Sequence, residues 1–211
     1  EQACPRARCN RSRAQKGRTR AAGKRRRCFS RDAGRRAIAI AIDRDATVPF
    51  WKKLVEQVHA ESDCKYILQL SHGGRQRDVP GIEYAKGLSS TDNKDPLHGF
   101  ECERMTVEQI QDVVKAFGQG ARRAREAGAD GVELHGANGY LITQFLSSGI
   151  NDRTDDYGGE LKNRARFVLE IVRAIRAEVG RDFHLQMKIS AIEYNNALLD
   201  DEPKGNTLED S

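Results

Sequence analysis

The chain has 211 residues, 32% of them charged and 38% hydrophobic, with a formal net charge of +5. That length suits one ordinary domain but falls below the roughly 250 residues of a complete (β/α)8 barrel. Residues 1–36 hold 14 basic and 2 acidic residues against 22 and 29 in the remainder, which excludes reading the positive charge as a nucleic-acid footprint of the whole chain.

Residues 1–36 show no apolar periodicity and a single aromatic, Phe29, so disorder is expected there. Three readings of this head stay open: a nucleic-acid tail, an Arg-rich organelle transit peptide, or sequence not native to the fold. The lack of interleaved aromatics weighs against nucleic acid as a partner. Cys4, Cys9, Cys28, Cys64 and Cys102 form no C-x-x-C pair, and an odd number argues against a closed disulfide framework. A reducing, cytoplasmic setting is expected, or an organelle if the head is a transit peptide. The longest apolar run, residues 37–42, is far shorter than the ~18 residues of a spanning helix, so no membrane contact is expected.

From about residue 47 helical and strand patterns alternate. Trp51, Leu54, Val55 and Val58 line one helical face, and residues 65–70 (KYILQL) read as a short buried strand. Residues 71–105 read as a long loop containing Gly73, Gly74, Pro80, Gly81, Gly87, Pro96 and Gly99. Thr106 and Gln109 form a capping box before a helix with Ile110, Val113, Val114, Phe117, Ala121 and Ala124 on its apolar face and Gly128 at its end. Residues 130–135 (DGVELH) are the next strand, residues 160–179 a third helix stopped by Gly180, and residues 182–190 (DFHLQMKIS) a third strand. This order calls for an α/β fold with a parallel sheet and right-handed crossovers. Gln69, Glu133, His135 and Lys188 all lie toward the C-terminal ends of their strands, the end where barrels build active sites.

His135, Asn138 and Tyr140 follow one another where the second strand gives way to a loop. Each has an ordinary structural reading: a satisfied strand-end histidine, an Asn-Gly turn, a packing tyrosine. Together they offer two neutral hydrogen-bond donors for one carbonyl oxygen and a phenol able to protonate a nearby carbanion.

The run from 127 to 175 carries H-x-A-N-G-Y-L, Q-F-L, N-x-R-x-D-x-Y-G-G and N-R-x-R-F. It resembles the Old Yellow Enzyme family of FMN-dependent NAD(P)H oxidoreductases, or ene reductases. Residues 68–76 (LQLSHGGRQ) and 187–190 (MKIS) are similar to the family's third- and fifth-strand signatures, and the resemblance covers roughly residues 43–195. It implies a (β/α)8 TIM barrel with FMN over the C-terminal mouth, NADH or NADPH as reductant, and an enone, quinone or similar small molecule as substrate. By position, His135 and Asn138 would hold the oxygen of an α,β-unsaturated carbonyl and Tyr140 would protonate its α-carbon. Gln69 would meet the flavin pyrimidine edge, and Lys188, where many members have arginine, would place positive charge beside N1 and O2 of the reduced flavin. Arg75 is either a flavin or a loop contact, and no metal site is implied. The motif from Asn151 to Gly159 is expected chiefly to pin the loop after the fourth strand.

Matched to the barrel, the strands are about the third to fifth. The expected layout is a head (1–36), a partial TIM-barrel domain (37–200) and an acidic polar tail (201–211). Three parallel strands cannot close a barrel, so this polypeptide alone is expected to be weak or inactive and aggregation-prone. The rival readings are a non-enzymatic protein binding nucleic acid through the head, and a TIM-barrel enzyme working without flavin.

Overall fold

A computed structural model of the chain describes residues 42–76, 87–96, 99–194 and 205–211. The head at 1–36 lies outside these residues. The helices are α1 (Val48–Glu61), α2 (Val107–Glu126), α3 (Leu141–Leu146), α4 (Leu161–Arg164) and α5 (Arg166–Val179). The strands are β1 (Ile67–Leu70), β2 (Gly87–Ser89), β3 (Cys102–Arg104), β4 (Gly131–Gly136) and β5 (His184–Ile189).

Strands β1, β4 and β5 form a parallel sheet in the order β1-β4-β5, the topology that two successive strand-helix-strand crossovers produce. Leu68 and Leu70 of β1 and Val132 and Leu134 of β4 point to one face. There they pack with Ile110, Val113 and Phe117 of α2 and Phe167, Ile171 and Ile175 of α5. Side chains alternate across a strand, so Gln69, Glu133, His135, Gln186 and Lys188 share the opposite face. Each large apolar side chain removed from water contributes about 1.5–3 kcal/mol, so the helical layer dominates the stability and leaves the other face to carry polar groups.

The α2 ends follow the sequence closely. Thr106 Oγ1 accepts from the Gln109 N–H at 3.2 Å and Gln109 Oε1 accepts from the Thr106 N–H at 2.8 Å, the reciprocal bonds of a capping box. Gly128, just past the helix, has φ 85°, the left-handed conformation that closes many helices. The stretch expected as a long loop is not wholly irregular: β2 and β3 pair in parallel as a separate two-stranded ladder. At three residues each they are too short to leave an alternation in the sequence. The third helix is broken at Ala165 into α4 and α5. Residues 205–211, read as a polar tail, are seated on the loop after α3. Asn206 is buried, donates to the Leu146 carbonyl at 3.0 Å, and accepts from the Ser148 N–H at 3.0 Å.

Candidate active site

The strand ends bring the candidate residues into two rows. In the first, Gln69 lies in register with Glu133, and Glu133 with Gln186. Gln69 Nε2 donates to Glu133 Oε1 at 2.6 Å and Gln186 Nε2 donates to Glu133 Oε2 at 2.5 Å. These bonds, Gln69 first, hold the Glu133 carboxyl below its ordinary pKa, with the charge of Lys188 adding to the effect. One carboxylate thus orients two amides. With its NH2 turned to Glu133, Gln69 directs its carbonyl oxygen elsewhere as an acceptor.

In the second row His135 lies in register with Lys188. His135 is buried, and its Nδ1 accepts the Ala137 N–H at 3.4 Å. Burial, reinforced by the Lys188 charge and opposed by Glu133, pushes its pKa down. The imidazole is therefore neutral near pH 7 with its proton on Nε2, a donor with no partner among the described residues. Asn138 and Gly139 both adopt positive φ, 59° and 74°, which asparagine and glycine tolerate best. This sharp turn carries Asn138 back over β5, where Lys188 Nζ donates to its Oδ1 at 3.0 Å. The Asn138 carboxamide is left with its NH2 as the outward group. Tyr140 packs edge-on against His135, with ring centroids 4.8 Å apart and an interplanar angle of 77°.

Arg75 is buried in the loop after β1, and its guanidinium donates to the Lys94 carbonyl at 3.1 Å, so it takes part in a loop contact. Of the six sequence candidates, five gather at the C-terminal ends of β1, β4 and β5, and Arg75 stands beside them. Glu133 and Gln186 were visible in the strand alternation, yet only the register shows that they form one hydrogen-bonded row with Gln69. Gln144 and His72 were not singled out at all. Gln144 lies within the Q-F-L motif, and a glutamine set between Leu141, Ile142, Phe145 and Leu146 was the available signal. His72 is buried, its Nδ1 accepting from the Gly74 N–H at 3.0 Å, and burial drives its pKa down to about 4.

The polar edge of an isoalloxazine ring alternates N–H and C=O groups. Gln69 offers an acceptor, and Lys188 keeps ammonium hydrogens beyond the one given to Asn138. The residues fit that edge. The N-x-R-x-D-x-Y-G-G motif behaves as a loop clamp. Asn151 Nδ2 bonds the carbonyls of Phe145 and Tyr157 at 2.7 and 2.8 Å, and Arg153 bonds the Met105 carbonyl at 2.7 Å and Asp155 at 2.5 Å.

A sequence profile described as the NADH:flavin oxidoreductase / NADH oxidase family matches residues 28–203. The chain is 43% identical over 145 residues to 12-oxophytodienoate reductase 7 of Oryza sativa subsp. japonica, covering 63% of this chain and 36% of that protein. It is 37% identical over 175 residues to NADH oxidase of Thermoanaerobacter brockii, covering 82% of this chain and 26% of that protein. Among solved structures, a 2-naphthoyl-CoA reductase bound to 2-naphthoyl-CoA superposes with a TM-score of 0.72 at 34% identity, covering 80% of this chain and 26% of that one. The chain thus spans between about a quarter and about a third of the length of these relatives.

Proposed function

Since the chain belongs to the NADH:flavin oxidoreductase / NADH oxidase family, we propose that it carries the central part of an FMN-dependent, NAD(P)H-reduced active site of ene-reductase type. The observation that carries this reading is the pair of preset donors. His135 Nδ1 is committed to Ala137 and Asn138 Oδ1 to Lys188, so each side chain turns an N–H outward. Two such donors, both at the C-terminal end of β4, suit the oxygen of an α,β-unsaturated carbonyl and would withdraw electron density from its β-carbon. FMN, reduced by NADH or NADPH, supplies the hydride when bound. The Tyr140 hydroxyl delivers the proton to the α-carbon, so hydride and proton together saturate the double bond. Gln69 would hold the ring's polar edge through its carbonyl oxygen, and Lys188 would supply positive charge favouring its reduced, anionic form.

The main sheet of the described residues has three strands, whereas a barrel of this kind closes with eight. The 211-residue polypeptide tested alone is therefore expected to hold FMN weakly and reduce enones slowly. The test is the visible spectrum of the chain after FMN loading and desalting, followed by enone reduction with NADPH. Where turnover is measurable, Tyr140→Phe is expected to lower it by roughly 10²–10⁴-fold, the usual contribution of a positioned acid. Equal turnover by the wild type and Tyr140→Phe would remove the proton-donor role. A chain that changes neither the absorbance nor the fluorescence of FMN when titrated with it to saturation would remove the flavin site from this polypeptide.

A further inference from the structure

The Q-F-L motif has no part in the chemistry above, yet the side chain of its glutamine is hydrogen-bonded at every position. Gln144 is fully buried in α3. Its Oε1 accepts from the Arg75 N–H at 3.1 Å and from Ser89 Oγ at 2.9 Å. Its Nε2 donates to the Gly139 carbonyl at 2.7 Å and to the Gly73 carbonyl at 3.3 Å. A carboxamide has two hydrogens to give and an oxygen with two lone pairs, so all four positions are filled and only one orientation of the amide satisfies them.

The four partners come from three segments: the loop after β1, the strand β2, and the Asn138–Gly139 turn. The loop after β1 is joined to the start of α3 a second time, through the Leu141 N–H and the His72 carbonyl at 3.0 Å. Gly74 leaves the room for this arrangement. It sits at φ 64°, and a Cβ there would overlap the Gln144 carboxamide. Of the bonds made by Gln144, the one to Gly139 lies closest to the proposed chemistry, because the next residue is Tyr140 and the one before is Asn138.

We propose that Gln144 is the positioning residue of this site: its saturated carboxamide fixes the Asn138–Gly139 turn, and with it the Tyr140 phenol, against the loop that follows β1. Gln144 touches no reacting atom and acts through the Gly139 carbonyl. The assignment rests on the ene-reductase reading only for what Tyr140 does, while the geometry it claims stands apart from any flavin.

The test therefore reads geometry in the full labelled chain by NMR. In the wild type both Gln144 Nε2 hydrogens are expected to exchange with solvent at least about tenfold more slowly than those of exposed Gln57, as buried, bonded amides do. The His135 ring protons are expected to show the ring-current shift of Tyr140 and a cross-peak to its ring. Gln144→Glu keeps the shape but loses both donors, and it is expected to abolish that shift and cross-peak. Thr106→Ala, which weakens the fold at a distance, leaves them in place. A folded Gln144→Glu chain with the His135–Tyr140 contact intact overturns the proposal. So do wild-type Gln144 hydrogens that exchange as fast as those of Gln57, a result that needs no variant. A chain that passes both tests while Tyr140→Phe reduces enones as fast as the wild type would instead refute the proton-donor role of Tyr140 and leave Gln144 as assigned.

Discussion

At the scale of single residues, His72 and His135 are imidazoles that the fold keeps neutral, and they give the protein a pH signature. Burial lowers the His72 pKa to about 4, whereas an unfolded histidine titrates near 6.5. Below that value the unfolded chain binds a proton that the folded chain refuses. The contribution of His72 is therefore complete above about pH 6.5 and is lost as pH falls toward 4, amounting to about 3 kcal/mol across the window. His135 acts in the same direction, with burial again the leading cause. Asp130 does not overlap with them: the Tyr66 N–H, with Lys65 and His59, lowers its carboxyl to about 2, so its contribution fades only below the ordinary carboxylate range. Urea midpoints measured from pH 8 to pH 4 should fall, and His72→Asn should flatten that fall. An unchanged slope in the variant would disprove the assignment to His72. His135, Asn138 and Tyr140 were legible in the sequence because all three lie within one short segment. The bond from Lys188 to Asn138 spans 50 residues, and no local pattern encodes the register that makes it.

At the scale of elements, legibility followed length. The 20 residues of α2 repeat their apolar spacing often enough to mark the core face, and its cap and terminal glycine could be named outright. Thr106→Ala is expected to cost about 1 kcal/mol through loss of the capping bond, read as a lower thermal midpoint with an unchanged far-UV spectrum. A midpoint that does not move would mean that the first turn of α2 is held by packing alone. The ladder of β2 and β3 was invisible because strands this short hold fewer than two full alternations. The break at Ala165 was hidden for a different reason. Leu161 before it and Phe167 after it continue the same apolar trend, while the interruption is fixed by tertiary bonds from Arg164 to the carbonyls of Leu146 and Gly159 at 2.8 and 2.6 Å.

For the molecule as a whole, the main sheet carries helices on one face and a polar row on the other. Among the described residues β1 and β5 each pair on one side alone, and Met187, Ile189, Ile192 and Tyr194 stand exposed at and beyond β5. Unpaired parallel edges beside apolar side chains favour pairing with further strands. The isolated polypeptide is expected to associate as its concentration rises, which sedimentation velocity would detect. A monomer at high micromolar concentration would show that these edges are protected. The parallel α/β class was legible from the order of the elements, whereas the polar row on the face away from the helices required the register of three strands far apart in sequence.

The Asn138–Gly139 turn sets a chemical clock on the site. Asparagine followed by glycine is the dipeptide most open to attack by the next backbone nitrogen on the side-chain carbonyl, because glycine offers no side chain to block the approach, and Asn138 is exposed. Hydrolysis of the resulting ring leaves aspartate or isoaspartate. Lys188 would then hold an anion in place of an amide, and the position would present acceptors where the proposed chemistry needs a donor. An aged population could keep its helices, its core and its melting behaviour while its share of competent sites declined with storage time. Activity per folded molecule would then depend on the age of the preparation, which stability measurements alone do not report.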